Sequence, residues 1–139
     1  MTMTPKEECE VLLDALLQAA QHLLEKNGAF IPIGAVMNMD SETILTAIGK
    51  EDYPDPQSII DEMTTFHREK AEKCEIKVSG IAFDGRVTPP GEDKSDAIII
   101  RLEHKDNYSV TVFQPYKKGL FKRIKYGKMF AGAGENNIF

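Results

Sequence analysis

The chain is 139 residues long, 42% hydrophobic, and carries a formal net charge of −5. That is the size of one ordinary domain, large enough to bury a core without a disulfide or metal staple. The acidic balance argues against a surface coated in bases for nucleic acid, and no apolar run approaches the roughly 20 residues of a membrane span, so no membrane association is expected.

The first predicted element is a helix from Pro5 to Asn27. Thr4 and Glu7 form a capping box, Pro5 sits where a missing N–H costs nothing, and Gly28 supplies a left-handed C-terminal cap. Cys9, Leu12, Leu13, Leu16, Ala20, Leu23 and Leu24 form its core stripe, opposite Glu10, Asp14, Gln18, Gln21 and Glu25. His22 is a boundary residue. Glu7, Glu8 and Glu10 stand where a secretory leader would place bases ahead of an apolar run, so the expected location is the cytoplasm.

Residues 29–37 read as a strand whose Pro32 and Gly34 mark an edge position or a bulge. A polar turn at 38–41 leads to a second strand at 43–48, and 49–55 is a loop. Asp55 then caps a second helix, with Pro56 at its first position, running to about Cys74. Ile59, Ile60, Met63, Phe66, His67, Ala71 and Cys74 share its apolar arc, which makes His67 a hydrogen-bonded core or boundary histidine rather than a catalytic one. Residues 76–86 form the third strand, with Gly80 a possible bulge, and 87–95 form an exposed loop rich in Pro and Gly.

Residues 96–126 are the most informative stretch. Ile98, Ile100 and Leu102, then Val110 and Val112, then Ile124 and Tyr126 recur at every second position, the period of a strand with one buried face. Taking Lys105, Asp106 and Asn107 as a three-residue loop pairs Leu102 with Val110 and Ile100 with Val112, which keeps the buried face continuous. Asn107 then takes the left-handed position of that loop. By the same rule Lys117-Lys118-Gly119 pairs Val112 with Ile124 and Val110 with Tyr126, with Gly119 in the left-handed position. The tail from Lys128 is expected to be irregular. The order helix, two strands, helix, three strands gives an α+β fold, two helices packed on one face of a five-stranded antiparallel sheet.

Ionisable residues supply no catalytic set. Cys9 and Cys74 match no C-x-x-C or Cys/His spacing, so both are expected as reduced, buried thiols, with no disulfide, metal or other cofactor. Glu103 and His104, adjacent on a strand, point to opposite faces and cannot converge on one metal. The G-x-G at Gly132 and Gly134 lacks the Lys-Ser/Thr of a phosphate-binding loop and opens no helix. Asp84-Gly85-Arg86 is first a turn signal.

Charge is unevenly distributed: residues 1–72 hold 14 acids and 5 bases, while residues 73–139 hold 8 acids and 12 bases. Six of those bases fall between Lys117 and Lys128 with no acid among them. With Tyr116, Phe121 and Tyr126 interleaved, the strip has the composition of a single-strand nucleic-acid surface. Lysines that discourage edge pairing explain it as well, and the acidic remainder would repel a polyanion.

The segments Phe30-Ile31-Pro32-Ile33-Gly34 and Tyr108-Ser109-Val110-Thr111-Val112-Phe113-Gln114-Pro115-Tyr116, with the closing Ile138-Phe139, resemble those of a group of small bacterial proteins of uncharacterised function. That resemblance implies bacterial origin and no particular activity. The element order is similar to that of roadblock and profilin-like folds, with a cystatin-like fold as the alternative.

Two functional expectations follow. The first is a non-enzymatic protein-binding or adaptor module whose outer sheet face, built from Ile99, Arg101, Phe113, Phe121, Arg123 and Lys125, meets an acidic partner protein or a second copy in a homodimer. In the competing arrangement the tail, with Met129, Phe130 and Phe139, folds back over that face. The second expectation is a small-ligand-binding protein or enzyme with a pocket between helices and sheet lined by His67, Tyr108 and Tyr126.

Overall fold

The computed structural model describes residues 2–47 and 55–139. Ile48 and residues 49–54 of the loop predicted at 49–55 lie outside them. Helix α1 spans Pro5–Asn27. The Thr4 hydroxyl accepts from the Glu7 N–H and the Glu7 carboxylate from the Thr4 N–H, both at 3.1 Å, and Gly28 closes the helix at φ 77°. Strands β1 (Ile33–Asn38) and β2 (Thr43–Thr46) follow, then helix α2 (Pro56–Glu72), capped by Asp55. Five more strands complete the chain: β3 (Ile76–Val87), β4 (Ser95–His104), β5 (Tyr108–Lys118), β6 (Ile124–Tyr126) and β7 (Phe130–Ala133). Among the described residues no helix is long and apolar enough to cross a membrane.

The fold is α+β, with an antiparallel sheet of seven strands rather than five, in the order β2-β1-β3-β4-β5-β6 and with β7 also on β5. The expected αββαβββ order holds through β5; β6 is the third alternating run, at Ile124 and Tyr126, that the count of five left out, and β7 is a further strand. Both pair with the outer edge of β5, β7 along Val110–Phe113 and β6 along Tyr116–Lys118. Within the tail expected to be irregular, Phe130–Ala133 is therefore a strand, while residues 134–139 form no regular element.

The two helices lie on opposite faces, which corrects the expectation that both cover one. On the first face Leu12, Leu16, Ala20 and Leu24 of α1 pack on Ala35, Met37, Val78, Ala82, Ile98, Ile100 and Leu102. On the other, Ile59 and Met63 of α2 pack on Ile81 and Phe83. The reason is that β3 and β4 are apolar in both parities, as the run Ile98-Ile99-Ile100 shows, and a strand buried on both sides needs a layer on each. Each fully buried leucine of α1 contributes about 1.5–3 kcal/mol in transfer terms.

Glycine makes room for both helices. A Cβ on Gly80 would strike Leu16 and Leu102, and one on Gly34 would strike Met63, Thr46 and His67. Neither residue is a bulge; the irregularity of β1 against β3 falls between Met37 and Asn38. Nor does Pro32 mark an edge, because it precedes β1 and that strand pairs on both sides.

The β4–β5 hairpin has the expected register, Leu102 opposite Val110 and Ile100 opposite Val112, with Asn107 at φ 61°. The β5–β6 hairpin does not. Tyr126 pairs with Tyr116 and Ile124 with Lys118, six residues further along β5 than predicted, because β5 continues to Lys118 and β7 occupies its earlier edge. Gly119 is extended at φ −94°, and Phe121 takes the left-handed position at φ 62°. A slip by an even number preserves the faces, so Ile124 and Tyr126 still lie on the α1 side. Cys9 is buried as expected, but Cys74 is exposed: α2 ends at Glu72 and the chain turns at Cys74 with φ 56°.

Candidate functional site

The residues nominated from the sequence divide into two groups. Ile99, Arg101 and Phe113 lie on the α2 face of β4 and β5, with Ile99 directly opposite Phe113. This part of the face is covered by the chain's own C-terminal segment. Phe113 stacks on Phe130 with centroids 4.9 Å apart, rather than pairing with Arg123 as the predicted register required. The Arg101 guanidinium sits 4.8 Å over the Phe83 ring and 3.6 Å from Glu135.

Glu103 holds the end of the tail. Its two carboxylate oxygens accept the N–H groups of Asn137 and Ile138, each at 3.1 Å, while Arg68 donates to the Asn137 carbonyl at 2.8 Å. Ile138 is left only 6% exposed. Burial raises the Glu103 carboxyl above its usual range against the pull of these amides.

Phe121, Arg123 and Lys125 belong to the other half of β5's edge, where the chain forms a basic arm. β5 runs past Tyr116 to Lys118, a single turn spans Leu120–Lys122, and β6 returns. The base of this arm is tightly bonded. Tyr116 donates its hydroxyl to Asp84 at 2.6 Å, Tyr126 donates to Glu25 of α1 at 2.9 Å, and the Gln114 amide reaches the Gly127 carbonyl at 2.7 Å. Burial and the neighbouring carboxylates push both phenols well above their ordinary range, so they stay protonated donors.

The tip of the arm is the opposite of its base. Leu120 is 85% exposed and Phe121 95% exposed. Phe121 also holds a left-handed backbone that costs an aromatic residue about 1–2 kcal/mol. Arg123 and Lys125 are exposed beside it, and Lys125 stands directly opposite Lys117. Sequence reasoning missed Leu120; the signal was the adjacent pair Leu120-Phe121 in a loop, where no strand alternation can bury both.

The buried titratable groups are structural. His67 is fully enclosed and bridges Thr46 at 2.8 Å and Ser79 at 2.7 Å, tying α2 to both β2 and β3. Burial, reinforced by the charge of Lys70, lowers its pKa to about 4, so it is a neutral imidazole that donates to one hydroxyl and accepts from the other. On the α1 side of the sheet Glu8 meets Lys77 at 2.6 Å and His104 Nε2 at 3.0 Å. Because His104 Nδ1 accepts from the Asp106 N–H, its proton must sit on Nε2, facing Glu8. Burial opposes ionisation of Glu8, yet the bonds from Lys77 and His104 outweigh it and hold the carboxyl below its usual range.

Glu103 and His104 do point to opposite faces, one to the tail and the other to α1. His67, Tyr108 and Tyr126 are not brought together: His67 faces α2, while Tyr108 and Tyr126 lie on the α1 face at opposite ends of β5. Among the described residues no three His, Cys, Asp or Glu side chains are grouped to hold a metal ion. Compared with known protein families, with curated proteins and with solved structures, the chain matches none.

Proposed function

We propose that the protein is a non-enzymatic protein-binding module that presents its basic arm, Leu120, Phe121, Arg123 and Lys125, to an acidic surface on another protein. The observation that carries this is the near-complete exposure of Leu120 and Phe121 at the tip of a rigidly based hairpin. A self-sufficient domain has no use for two adjacent large apolar side chains in water, whereas aromatic residues and arginine are enriched in interface cores. The surrounding bases favour an acidic partner and make the association rate salt-sensitive. They also disfavour symmetric pairing of two arms, which would set base against base.

The αββαβββ order supports a roadblock or profilin-like core with β6 and β7 added, an analogy of fold that carries no activity. The two free cysteines support a cytoplasmic location, and the Phe30–Gly34 segment supports bacterial origin.

Phe121→Asp is the test. Crosslinking in living cells followed by capture should retain a partner with the wild-type chain and lose it with the variant, while the thermal midpoint stays the same. Equal capture by both would exclude the arm as the contact.

A further inference from the structure

We infer that the cavity between the loop at 88–94 and the base of the arm is a binding site for a phosphate group. It has a volume of about 430 Å³, within the range of small-ligand sites. One wall is Ser95, Tyr116 and Lys117 of β4 and β5, another is Lys125 and Tyr126 of β6, and the third is the loop with Lys94.

The charges on these walls are the reason. Lys117 and Lys125 are directly opposite across the β5–β6 pair, an arrangement of like charges that destabilises two neighbouring strands. Lys94 faces the same space. Among the described residues none of the three makes an ion pair. Acids of the sheet and of α1 beside these walls are already engaged: Asp84 holds the Tyr116 hydroxyl, Glu25 the Tyr126 hydroxyl, and Asp96 lies 3.6 Å from Arg86.

Glu92 and Asp93 share the lining on the loop, yet neither closes on a lysine. Three cations and two carboxylates thus surround one space without a salt bridge across it, which leaves room for a third party. Cross-strand Cβ atoms are about 5 Å apart, so two flexible lysine stems converge on one phosphate, which ammonium groups bind as point charges. With both tyrosine hydroxyls spent on carboxylates, the rings supply apolar wall rather than further donors. The phosphate belongs either to a free phosphorylated small molecule or to a phosphorylated residue; the lysines recognise what the two share.

The experiment is calorimetric titration of the full chain with inorganic pyrophosphate and, separately, with phosphoserine, at an ionic strength fixed with sodium chloride. Saturable binding of one equivalent of either is expected. Binding of pyrophosphate alone identifies a free polyphosphate, and comparable binding of phosphoserine a phosphorylated residue. Lys117→Met with Lys125→Met should weaken binding by about tenfold per lysine, the loss of one charge-assisted hydrogen bond each. Relief of like-charge repulsion should meanwhile leave the unliganded midpoint equal or higher. Lys94→Met, on the other wall, should weaken binding without touching the strand pair. Glu92→Gln with Asp93→Asn should tighten it by removing the competing carboxylates, and Lys6→Met, at the far end of the sheet, should leave it unchanged. Phe121→Asp should also leave it unchanged, which separates this site from protein binding at the tip. Absence of saturable binding to both probes, or equal affinity in wild type and all lysine variants, would overturn the assignment.

Discussion

The two halves of β5's outer edge begin from the same material and end differently. Along Val110–Phe113 the edge is closed by β7, the half-buried Phe113 ring is stacked on Phe130, and the Asn137 and Ile138 amides are received by Glu103. Along Tyr116–Lys118 the edge continues into an arm whose apolar tip meets nothing among the described residues. Apolar side chains on an outer face are therefore ambiguous on their own. What separates internal core from a contact surface is whether the chain has another segment long enough, and uncharged enough, to cover them. Residues 130–133 carry no charge and settle on one half, while the six bases between Lys117 and Lys128 keep the other half open.

The sharpest way to break this contrast is to place the same charge in both halves. Phe113→Asp should cost about 2–4 kcal/mol, because it removes a stacked, half-buried ring and leaves a carboxylate beneath the tail. Phe121→Asp should change stability by no more than about 0.5 kcal/mol. Equal losses in chemical denaturation would mean that the arm is packed after all.

Acid should loosen the α2 face and leave the arm alone. His67 has a folded-state pKa of about 4, below the ordinary 6.5 of the unfolded chain. Between those values the unfolded state binds the proton that the folded state excludes, so stability falls as pH drops through that window, at up to about 1.4 kcal/mol per unit. By pH 5 the loss is about 2 kcal/mol. Urea midpoints of wild type should show this decline between pH 7 and pH 5, and those of His67→Gln should be flatter. Parallel curves would show that some other group carries it.

A smaller effect probes the latch of the tail. Glu103→Gln retains shape but loses the charge that receives two amides, and should cost about 1–2 kcal/mol. Faster hydrogen exchange at Asn137 and Ile138 is the direct readout. Unchanged protection there would detach the tail from Glu103.

Smallest of all, Phe121→Gly should stabilise the protein by about 0.5 kcal/mol. Relief of the left-handed strain outweighs the greater freedom that glycine gives the unfolded chain. A loss of stability would show that the Phe121 ring is held by something.

Local signals were the ones that could be read in advance. The capping box at Thr4 and Glu7, Gly28 after α1, Asp55 before α2 and the register around Asn107 each depend on a few neighbouring residues, and each is present in the structure. What could not be read depends on distant chain. The β5–β6 register followed from a loop rule that was sound for Asn107, but it failed at Gly119 because β7 had already taken the edge that rule assigned to β6. β7 itself, Phe130-Ala131-Gly132-Ala133, lacks strand-forming residues after the first and owes its conformation to its partner. The opposite placement of the helices was signalled by Ile98-Ile99-Ile100, a run whose middle residue was read as part of an exposed outer patch rather than as a second buried face. Of the candidate site, Phe121, Arg123 and Lys125 were legible as an exposed basic group; their separation from Ile99, Arg101 and Phe113 was not.

The bond between Glu8 and His104 joins residues 96 apart in sequence, and that between Glu25 and Tyr126 joins residues 101 apart. During synthesis α1 is finished early, but its leucines have nowhere to go until β3 and β4 have emerged. At about 5–20 residues per second the wait lasts on the order of 4–15 s. For that interval the leucine stripe is borne by a capped, amphipathic helix on a growing chain, so a ribosome stalled before β4 would present a client for a chaperone rather than a partial fold.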